Sequence, residues 1–448
     1  MFKKVLVANR GVVAARVART LNKEGIPWVA VYSEADADMA YVKEAHESFC
    51  IGPPPARQSY LETDTLLDVM QKSGCDAVHP GYGFLSENAA FAQSVEASGV
   101  RFIGPRSADI SEMGDKVIAR RKMEAAGIPV LPATEPLDQG ADLSDHIKKI
   151  GFPMLVKATA GGGGIGMQRV ENADTLEAFV EKTRKLSERA FGDGTVYLER
   201  LLDISRHVEF QMIGDGMGNV RPLFERDCSI QRRHQKIIEE APAPKIDRVK
   251  CDALAERLAS VLGAWNYKSL GTVEMLMDQG SNFYFLEMNT RLQVEHGVTE
   301  AVTELDLVSM QLQVAAGKTL NEVYPHEATR SGHAIELRIY AEDPVRFFPS
   351  TGQLTKFQLP QSTNVRVDTH LTEGDVITPH YDPMLALVIV KGENRREAIS
   401  NALAALSEFT VEGPKTNIPF LRHVLASEEF SECRHHTTIA ETMSKTAA

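Results

Sequence analysis

The sequence predicts a mixed α/β and α+β chain. It opens with an N-terminal doubly wound parallel-sheet domain, followed by a small glycine-loop domain and a larger C-terminal α+β domain. Three observations predict this. Short apolar strands alternate with helical stretches over residues 1–115. A lysine-bearing strand runs into four consecutive glycines within 132–202. Beyond 203 several segments alternate apolar and polar residues, two of them joined by turn residues. A chain of 448 residues has the length for roughly three domains.

In the first domain, Val5-Leu6-Val7-Ala8 is a short buried-strand run and Asn9-Arg10-Gly11 a turn. Ala14, Val17, Ala18 and Leu21 recur at helical spacing, with Gly25 as the stop. Further strands are expected at Trp28 to Tyr32, Asp76 to Val78 and Arg101 to Ile103. A helical linker occupies 116–131, its helix running from Lys116 to about Ala126. The small unit, 132–202, contains the strands Leu155-Val156-Lys157 and Val196-Tyr197-Leu198. The remaining residues, 203–448, form the larger domain, and the polar stretch from His436 to Ala448 predicts a frayed end.

The net charge of −12 argues against a nucleic-acid binder, so any anionic ligand must be held by local cations. Five cysteines without a C-x-x-C pair suit a reducing cytoplasm better than a disulfide framework. No apolar run is long enough for a membrane span.

Lys157 precedes Gly161-Gly162-Gly163-Gly164-Ile165-Gly166. Glycines let backbone N–H groups approach an anion closely, and the lysine adds charge, as in a mobile phosphate cover. The spacing is neither a P-loop nor a dinucleotide-binding fingerprint, and a plain surface turn has the same composition.

The strands Gly271 to Asp278 and Phe283 to Asn289 flank Gln279-Gly280-Ser281-Asn282 and predict a hairpin. Pairing Asp278 with Phe283 puts Leu276 opposite Phe285 and Glu274 opposite Glu287, with Cβ atoms roughly 5 Å apart. Facing carboxylates make sense around a divalent cation, and oxygen ligands favour Mg²⁺ or Mn²⁺. A solvated pair, lysine partners or a register one residue off are the alternatives. Continued alternation puts Glu287, Asn289, Arg291, Gln293 and Glu295 on one side, which supplies metal ligands, an anion clamp and a general base. A solvent-facing strand has the same pattern.

Arg226 to Lys236 carries five cations in eleven residues, a cradle for phosphate or bicarbonate or else a solvated charge run. Upstream, His207, Glu209 and Gln211 share one strand face, and Val208, Phe210 and Met212 the other.

HPGYGFLSEN (79–88), KATAGGGGIGM (157–167), RDCSIQRRHQKIIEEAPAP (226–244) and EMNTRLQVEH (287–296) closely resemble the biotin carboxylases. So do Ala8-Asn9-Arg10-Gly11, Met113-Gly114-Asp115-Lys116 and Arg338-Ile339-Tyr340-Ala341-Glu342-Asp343-Pro344, so the resemblance spans almost the whole chain. It implies an ATP-grasp fold whose glycine loop, with Gly163 and Gly164, closes over ATP. It implies that Lys116 and Lys157 hold phosphates, and that the hinge from Glu199 to Leu202 receives adenine. His207, Gln231 and His234 would touch the nucleotide. Glu274, Glu287 and Asn289 would bind Mg²⁺ or Mn²⁺. Lys236, Arg291, Gln293 and Val294 would position bicarbonate, Glu295 would be its base, and Arg338 would stabilise the biotin enolate. The implied partners are a biotin carboxyl carrier protein and a carboxyltransferase subunit, with a possible homodimer.

Some positions depart from the family pattern: Val12 for Glu, Ile165 for Arg or Lys, Gly297 for Pro, Leu387 for Lys, and Thr363 for an aromatic at the family's dimer contact. They motivate an alternative, a catalytically degraded nucleotide-binding scaffold. No Ala/Val-Met-Lys-Met biotin-acceptor motif occurs in these residues, so biotin is expected on a separate carrier polypeptide or on a further segment of a longer acyl-CoA, pyruvate or urea carboxylase.

Overall fold

The computed structural model describes residues 1–140, 142–159, 167–326 and 328–446. Gly163, Gly164 and Ile165 lie outside them.

Five short strands, β1 (Val5–Val7), β2 (Trp28–Tyr32), β3 (Glu47–Cys50), β4 (Ala77–His79) and β5 (Arg101–Phe102), form the first sheet in the order β3-β2-β1-β4-β5. Every pairing is parallel, and the inner strands are apolar and buried on both faces. The helix Gly11–Lys23 follows β1, and Gly25 in the left-handed region ends it. Strand order reverses between β1 and β4, the place where open α/β sheets bind ligands beyond their carboxyl ends. There Asn9 Nδ2 donates to the carbonyls of Pro80 (2.7 Å) and Tyr82 (2.8 Å). Gly81 has φ +65°, and a Cβ on it would come within 2.8 Å of Val13 Cγ2.

The small unit is an antiparallel sheet with β6 (Met154–Ala158) between β7 (Met167–Val170) and β8 (Val196–Arg200). The helix Ala173–Phe191 covers it, with Leu176 and Val180 packing on Met154, Val156 and Leu198.

The large unit is one eight-stranded antiparallel sheet. Its strands include β9 (Arg206–Asp215), β10 (Val220–Arg232), β11 (Gln235–Ala241), β12 (Lys268–Met277), β13 (Phe283–Asn289) and β14 (His333–Tyr340). They run β13-β12-β9-β10-β11-β14, continued by Met384–Gly392 and Val365–Thr369. Val208, Phe210 and Met212 of β9 face an apolar cluster with Leu254, Leu258 and Leu262 of the helix Arg248–Ala264. The opposite face, with His207, Glu209 and Gln211, is polar yet equally buried.

The hairpin differs from the expected register near its turn. Met277 pairs with Phe283, Leu276 with Tyr284 and Met275 with Phe285, one step off the expected alignment. Asp278 leaves the ladder because its carboxylate accepts from the backbone N–H groups of Gly280 and Asn282. A β-bulge beside Glu274 absorbs the extra residue and returns Glu274 to Glu287.

Three other expectations are corrected. The strand alternation stops at Asn289. Residues 290–295 are irregular, and Glu295 takes the N-cap position of the helix His296–Thr303 with its side chain turned to Lys236 and Arg338 instead of the helix end. The basic segment is a buried hairpin that turns at Arg233 and His234, both left-handed (φ +49° and +65°). Finally, the C-terminal stretch is not frayed: Ile439–Thr446 is a helix, with Ile439, Ala440 and Met443 buried in the main core.

Arg16 ties the two sheets together. It is buried and donates to Glu300 (2.6 Å), Asp306 (2.9 Å) and His296 Nε2 (3.1 Å), anchoring the helix whose N-cap position Glu295 holds. Arg16→Ala leaves buried carboxylates unpaired and is expected to cost about 3–5 kcal/mol. Urea unfolding checks this, and an unchanged midpoint would refute the anchoring role.

Candidate active site

The buried polar face of the large sheet opens into a cavity of about 300 Å³. Each wall has a reason in the strand pattern. On β9, parity sends His207 inward, and β12 adds Glu274 at the position facing Glu209. The hairpin of β10 and β11 supplies Gln231, His234 and Lys236, and β13 supplies Glu287 and Asn289. The irregular 290–295 segment carries Arg291, Gln293, Val294 and Glu295 to the same space, and Arg338 enters from β14. Lys116, at the start of the helix Lys116–Ala125, and Lys157, at the end of β6, line the side towards the small unit. Asp115 caps that helix by accepting from Val117 N and Ile118 N.

Lys236 is the hub. Its Nζ donates to Glu209 Oε2 (2.6 Å), Glu274 Oε1 (2.8 Å) and Glu295 Oε1 (2.6 Å). Burial is the largest influence and pushes these carboxyls up, but Lys236 together with Arg226 at Glu209, His207 at Glu274, and Arg338 and Arg226 at Glu295 outweighs it and holds all three below the usual carboxylate range. Lys236 is correspondingly lifted well above an ordinary lysine despite its own burial. Burial also pulls down the His207 imidazole, yet Glu274, whose Oε2 lies 3.0 Å away, and Glu209 bring it up to about 9. Gln231 Nε2 sits 3.0 Å from the other ring nitrogen.

Glu274 Oε1 also accepts from Asn289 Nδ2 (2.8 Å) and Gln293 Nε2 (3.0 Å). Across the hairpin, the Glu287 carboxyl is pushed up, first by burial and then by the charge of Glu274, with Lys116 partly offsetting both. A hard divalent cation fits here. Two carboxylates are the ligands Mg²⁺ prefers, the Asn289 amide oxygen would join them on release from Arg291 Nη2 (2.8 Å), and a positive charge relieves the repulsion that raises Glu287. The tighter triads, His207–Glu209–Glu274 and Glu209–Cys228–Glu295, hold carboxylates already committed to Lys236, His207 or Arg338; Glu274 shares that commitment, and Glu287 is the carboxylate that brings no contact to Lys236.

Arg291 is set by Glu87, which accepts its Nε (2.8 Å) and the Thr290 amide (3.1 Å). Its other nitrogens donate to Gln293 Oε1 (2.7 Å) and Asn289 Oδ1 (2.8 Å). Arg338 donates Nε to Glu239 Oε1 (2.6 Å) and Nη2 to Glu295 Oε2 (3.0 Å). Arg291, Val294 and Arg338 also line a second cavity of about 530 Å³, walled by Tyr82, Tyr340 and Tyr381 at the switch point of the first sheet. The two spaces share these residues as a common wall.

Two expected residues stand apart. Glu199 is buried behind Lys157, accepting its ammonium at 2.9 Å, and Leu202 is half-buried beyond β8; neither lines the cavity. Gly163 and Gly164 lie outside the described residues. Sequence reasoning passed over Glu209, Glu87 and Glu239 as site residues. Parity with His207 marks Glu209, and Glu87 belongs to the 79–88 motif, but nothing in the sequence pairs Glu239 with Arg338. Arg226 proves structural: fully buried, it donates to Glu209 (2.6 Å), Gln211 (2.8 Å) and Thr299 (2.9 Å).

Comparison with known proteins agrees with this geometry. Residues 1–110 match the biotin carboxylase N-terminal domain, 115–323 the ATP-binding domain of the carbamoyl-phosphate synthase L chain, and 336–442 the biotin carboxylase C-terminal domain. Biotin carboxylase of Halalkalibacterium halodurans is 49% identical over 95% of this chain and 94% of its own length. Biotin carboxylase 2 of Bacillus subtilis is 49% identical, covering 96% and 97% respectively. The crystal structure of a biotin carboxylase–ATP complex from Campylobacter jejuni superposes with a TM-score of 0.95 at 40% identity, over 99% of each chain. The biotin carboxylase domain dimer of Hydrogenobacter thermophilus 2-oxoglutarate carboxylase, with MgADP and bicarbonate, reaches 0.95 at 38% identity, over 100% of this chain and 99% of that one.

The lysine hub has a measurable consequence. Because its carboxyls are held low, their stabilisation is fully present above the ordinary carboxylate value of about 4.3 and is lost as pH falls through the folded-state values. Lys236→Met is expected to lose about 3–5 kcal/mol near neutrality. The deficit should shrink in acid, where both forms bear protonated carboxyls. Urea unfolding across pH tests this; a deficit that does not vary with pH would count against the hub.

Proposed function

This chain belongs to the biotin carboxylase family, and we propose that the cavity around Lys236 is where it carries out the family's reaction. The protein is an ATP-dependent ligase that carboxylates biotin with bicarbonate, the first half-reaction of a biotin-dependent carboxylase. ATP and bicarbonate are its substrates, Mg²⁺ its metal, and biotin arrives on a separate carrier. The observation that carries the assignment of the site is the meeting of Lys236, Arg291 and Arg338 with Glu274, Glu287 and Glu295 in one cleft.

On this reading the small unit, 132–202, is the lid; 1–115 and 203–448 enclose the cleft, and 116–131 links them. Lys116 and Lys157 hold the phosphates, and the glycine-loop contact assigned to Gly163 and Gly164 falls on residues outside those described. His207, Gln231 and His234 contact the nucleotide, and Glu199 and Leu202 receive its base. Glu274, Glu287 and Asn289 hold the cation, which when bound neutralises phosphate charge.

Bicarbonate sits between Lys236, Arg291, Gln293 and Val294. The two cations that occupy Glu295 in the resting protein, Lys236 and Arg338, are those an incoming anion attracts. As they turn to the anion, Glu295 loses the charges that depress it and becomes basic enough to take the bicarbonate proton. The deprotonated oxygen attacks the γ-phosphorus, ADP leaves, and carboxyphosphate forms. It breaks to CO₂ and phosphate. The phosphate accepts the biotin N–H proton, Arg338 steadies the enolate oxygen, and the ring nitrogen bonds CO₂. The protein's contribution is positioning and charge stabilisation in a space closed to water.

The chain works with a carrier and partner subunits. A biotin carboxyl carrier protein, a carboxyltransferase subunit, a homodimer and a cytoplasmic location are the specific readings we adopt. No helix among the described residues is long and apolar enough to cross a membrane.

ATP turnover measured with and without bicarbonate and free biotin tests the reading. Turnover is expected to rise with both. Arg338→Ala should abolish the biotin-dependent rise and Glu295→Ala the bicarbonate-dependent one, each by about 10²-fold or more. Turnover indifferent to bicarbonate and biotin would instead support a nucleotide-binding scaffold.

A further inference from the structure

Glu336 is the buried group that the reaction above leaves unexplained. It lies on β14 two residues before Arg338, so both side chains leave the same face. The β11–β14 register sets Glu239 directly opposite it, and Ile389 is its neighbour on the other side. Glu336 is fully buried, and neither of its carboxyl oxygens has a hydrogen-bond partner; Glu239 Oε2 is also buried and unpartnered. Glu239 uses Oε1 alone, for Arg338 Nε (2.6 Å) and Nη2 (2.5 Å).

The other side of Glu336 offers no relief. Val12, Val298, Leu387 and Ile389 belong to one apolar cluster. Gly297 packs so closely that an added Cβ would lie 2.8 Å from Glu336 Oε2 and from Ile389 Cγ1. The charged groups facing Glu336 are Glu239 from β11, Arg338 on its own strand, Glu295 from the helix cap and Asp368 from the strand Val365–Thr369, and the neutral Tyr82 phenol approaches from the first domain. Three of the four charged groups are acidic. Asp368 is already committed to Arg366 and Arg19. Two ionised carboxylates facing across a buried ladder with one guanidinium between them would leave a charge unpaired. A single proton removes that conflict and gives both orphaned carboxyls a partner.

We propose that Glu336 is a positioning residue that carries this proton and donates it to Glu239 Oε2, so that Glu239 stays an intact carboxylate and fixes the Arg338 guanidinium in the wall between the two cavities. Burial raises both acids, Glu239 to about 7 and Glu336 well above the ordinary carboxyl value; the two contacts from Arg338 fall on Glu239 and make it the more acidic of the pair, in keeping with the geometry. The neutral acid also keeps a third anion away from Arg338, whose field is then available to the biotin oxygen. Glu336 touches no substrate and acts through Glu239.

The inference rests on the biotin carboxylase reading only for its kinetic readout. Glu336→Gln cannot ionise but offers an N–H to the same oxygen, whereas Glu336→Leu fills the space and offers nothing. Glu336→Gln is expected to keep biotin-dependent kcat within about twofold and to shift the alkaline limb of its pH profile upward. Glu336→Leu should lower that kcat by about tenfold or more, the range typical of supporting residues behind a site. The KM for ATP should not move in either variant, because Lys116 and Lys157, which hold the phosphates on this reading, lie away from Glu336 and Glu239. Infrared spectra near pH 8, above ordinary carboxyl values, should show a protonated-carboxyl C=O band in the unaltered protein that Glu336→Gln lacks. Equal impairment of the two variants, full activity in Glu336→Leu, or absence of that band would overturn the proposal. If Glu336→Leu does not fold, the band and the Glu336→Gln profile still decide it. If the unaltered protein shows no bicarbonate-stimulated turnover, the functional reading fails, and the band alone decides the proton.

Discussion

The Lys236 ammonium lies within 2.8 Å of three carboxylates that arrive from β9, from β12 and from the cap of the helix His296–Thr303. Without a cation at their centre these groups could not share a buried face of one sheet, because each unpaired charge there opposes folding. The hub therefore does two things. It makes a polar sheet interior possible, and it leaves the charges in a state that an anion can redistribute. On the proposed reading an incoming bicarbonate competes for the ammonium, and each contact it takes would make Glu295 more basic. Stability of the resting site and reactivity of the loaded one would then come from the same three hydrogen bonds.

Specificity for the buried face is set by its surroundings. On one side of the large sheet, Val208, Phe210 and Met212 pack against the helix Arg248–Ala264. On the other, Arg226 spans Glu209, Gln211 and Thr299 with no exposed surface. Arg226 thus compensates one oxygen of Glu209 and leaves the other to Lys236. Arg16 does the analogous work one layer out, fixing the helix whose cap is Glu295. Buried arginines hold the frame, while among the described residues Lys236, Arg338 and His207 bring paired positive charge from this sheet to the cavity and Arg291 brings it from the irregular segment after the sheet.

Much of this was legible in the sequence, for reasons that can be named. Strand parity put His207, Glu209 and Gln211 on one face, because period two leaves no other choice inside a regular strand. It failed after Asn289, where the chain becomes irregular; Arg291, Gln293 and Glu295 still converge there, but through Glu87 and a helix cap. The Glu274–Glu287 pairing was reached through two offsetting departures, a turn that removes Asp278 from the ladder and a bulge that restores the register. Neither is written in alternation, since both depend on local hydrogen bonds. The basic segment looked like an anion cradle, yet Arg226 and Arg232 are consumed by Glu209 and Glu342. Composition cannot tell a solvated arginine from a buried one. The helix Ile439–Thr446 was missed because only Ile439, Ala440 and Met443 of a polar stretch face the core.

The departures from the family pattern gain a different meaning once their positions are known. Val12 and Leu387, standing where the family pattern has a Glu and a Lys, belong to the same apolar cluster, and Gly297 packs against its member Ile389. Three of the departures therefore lie together in one patch of packed hydrocarbon beside Glu336, and Lys236, Glu295 and Arg338 lie outside that patch. None of the residues described in that patch is cationic, so it offers Glu336 no counter-charge. The proton proposed for Glu336 removes the charge instead, and through Glu239 it ties this buried acid to the Arg338 guanidinium.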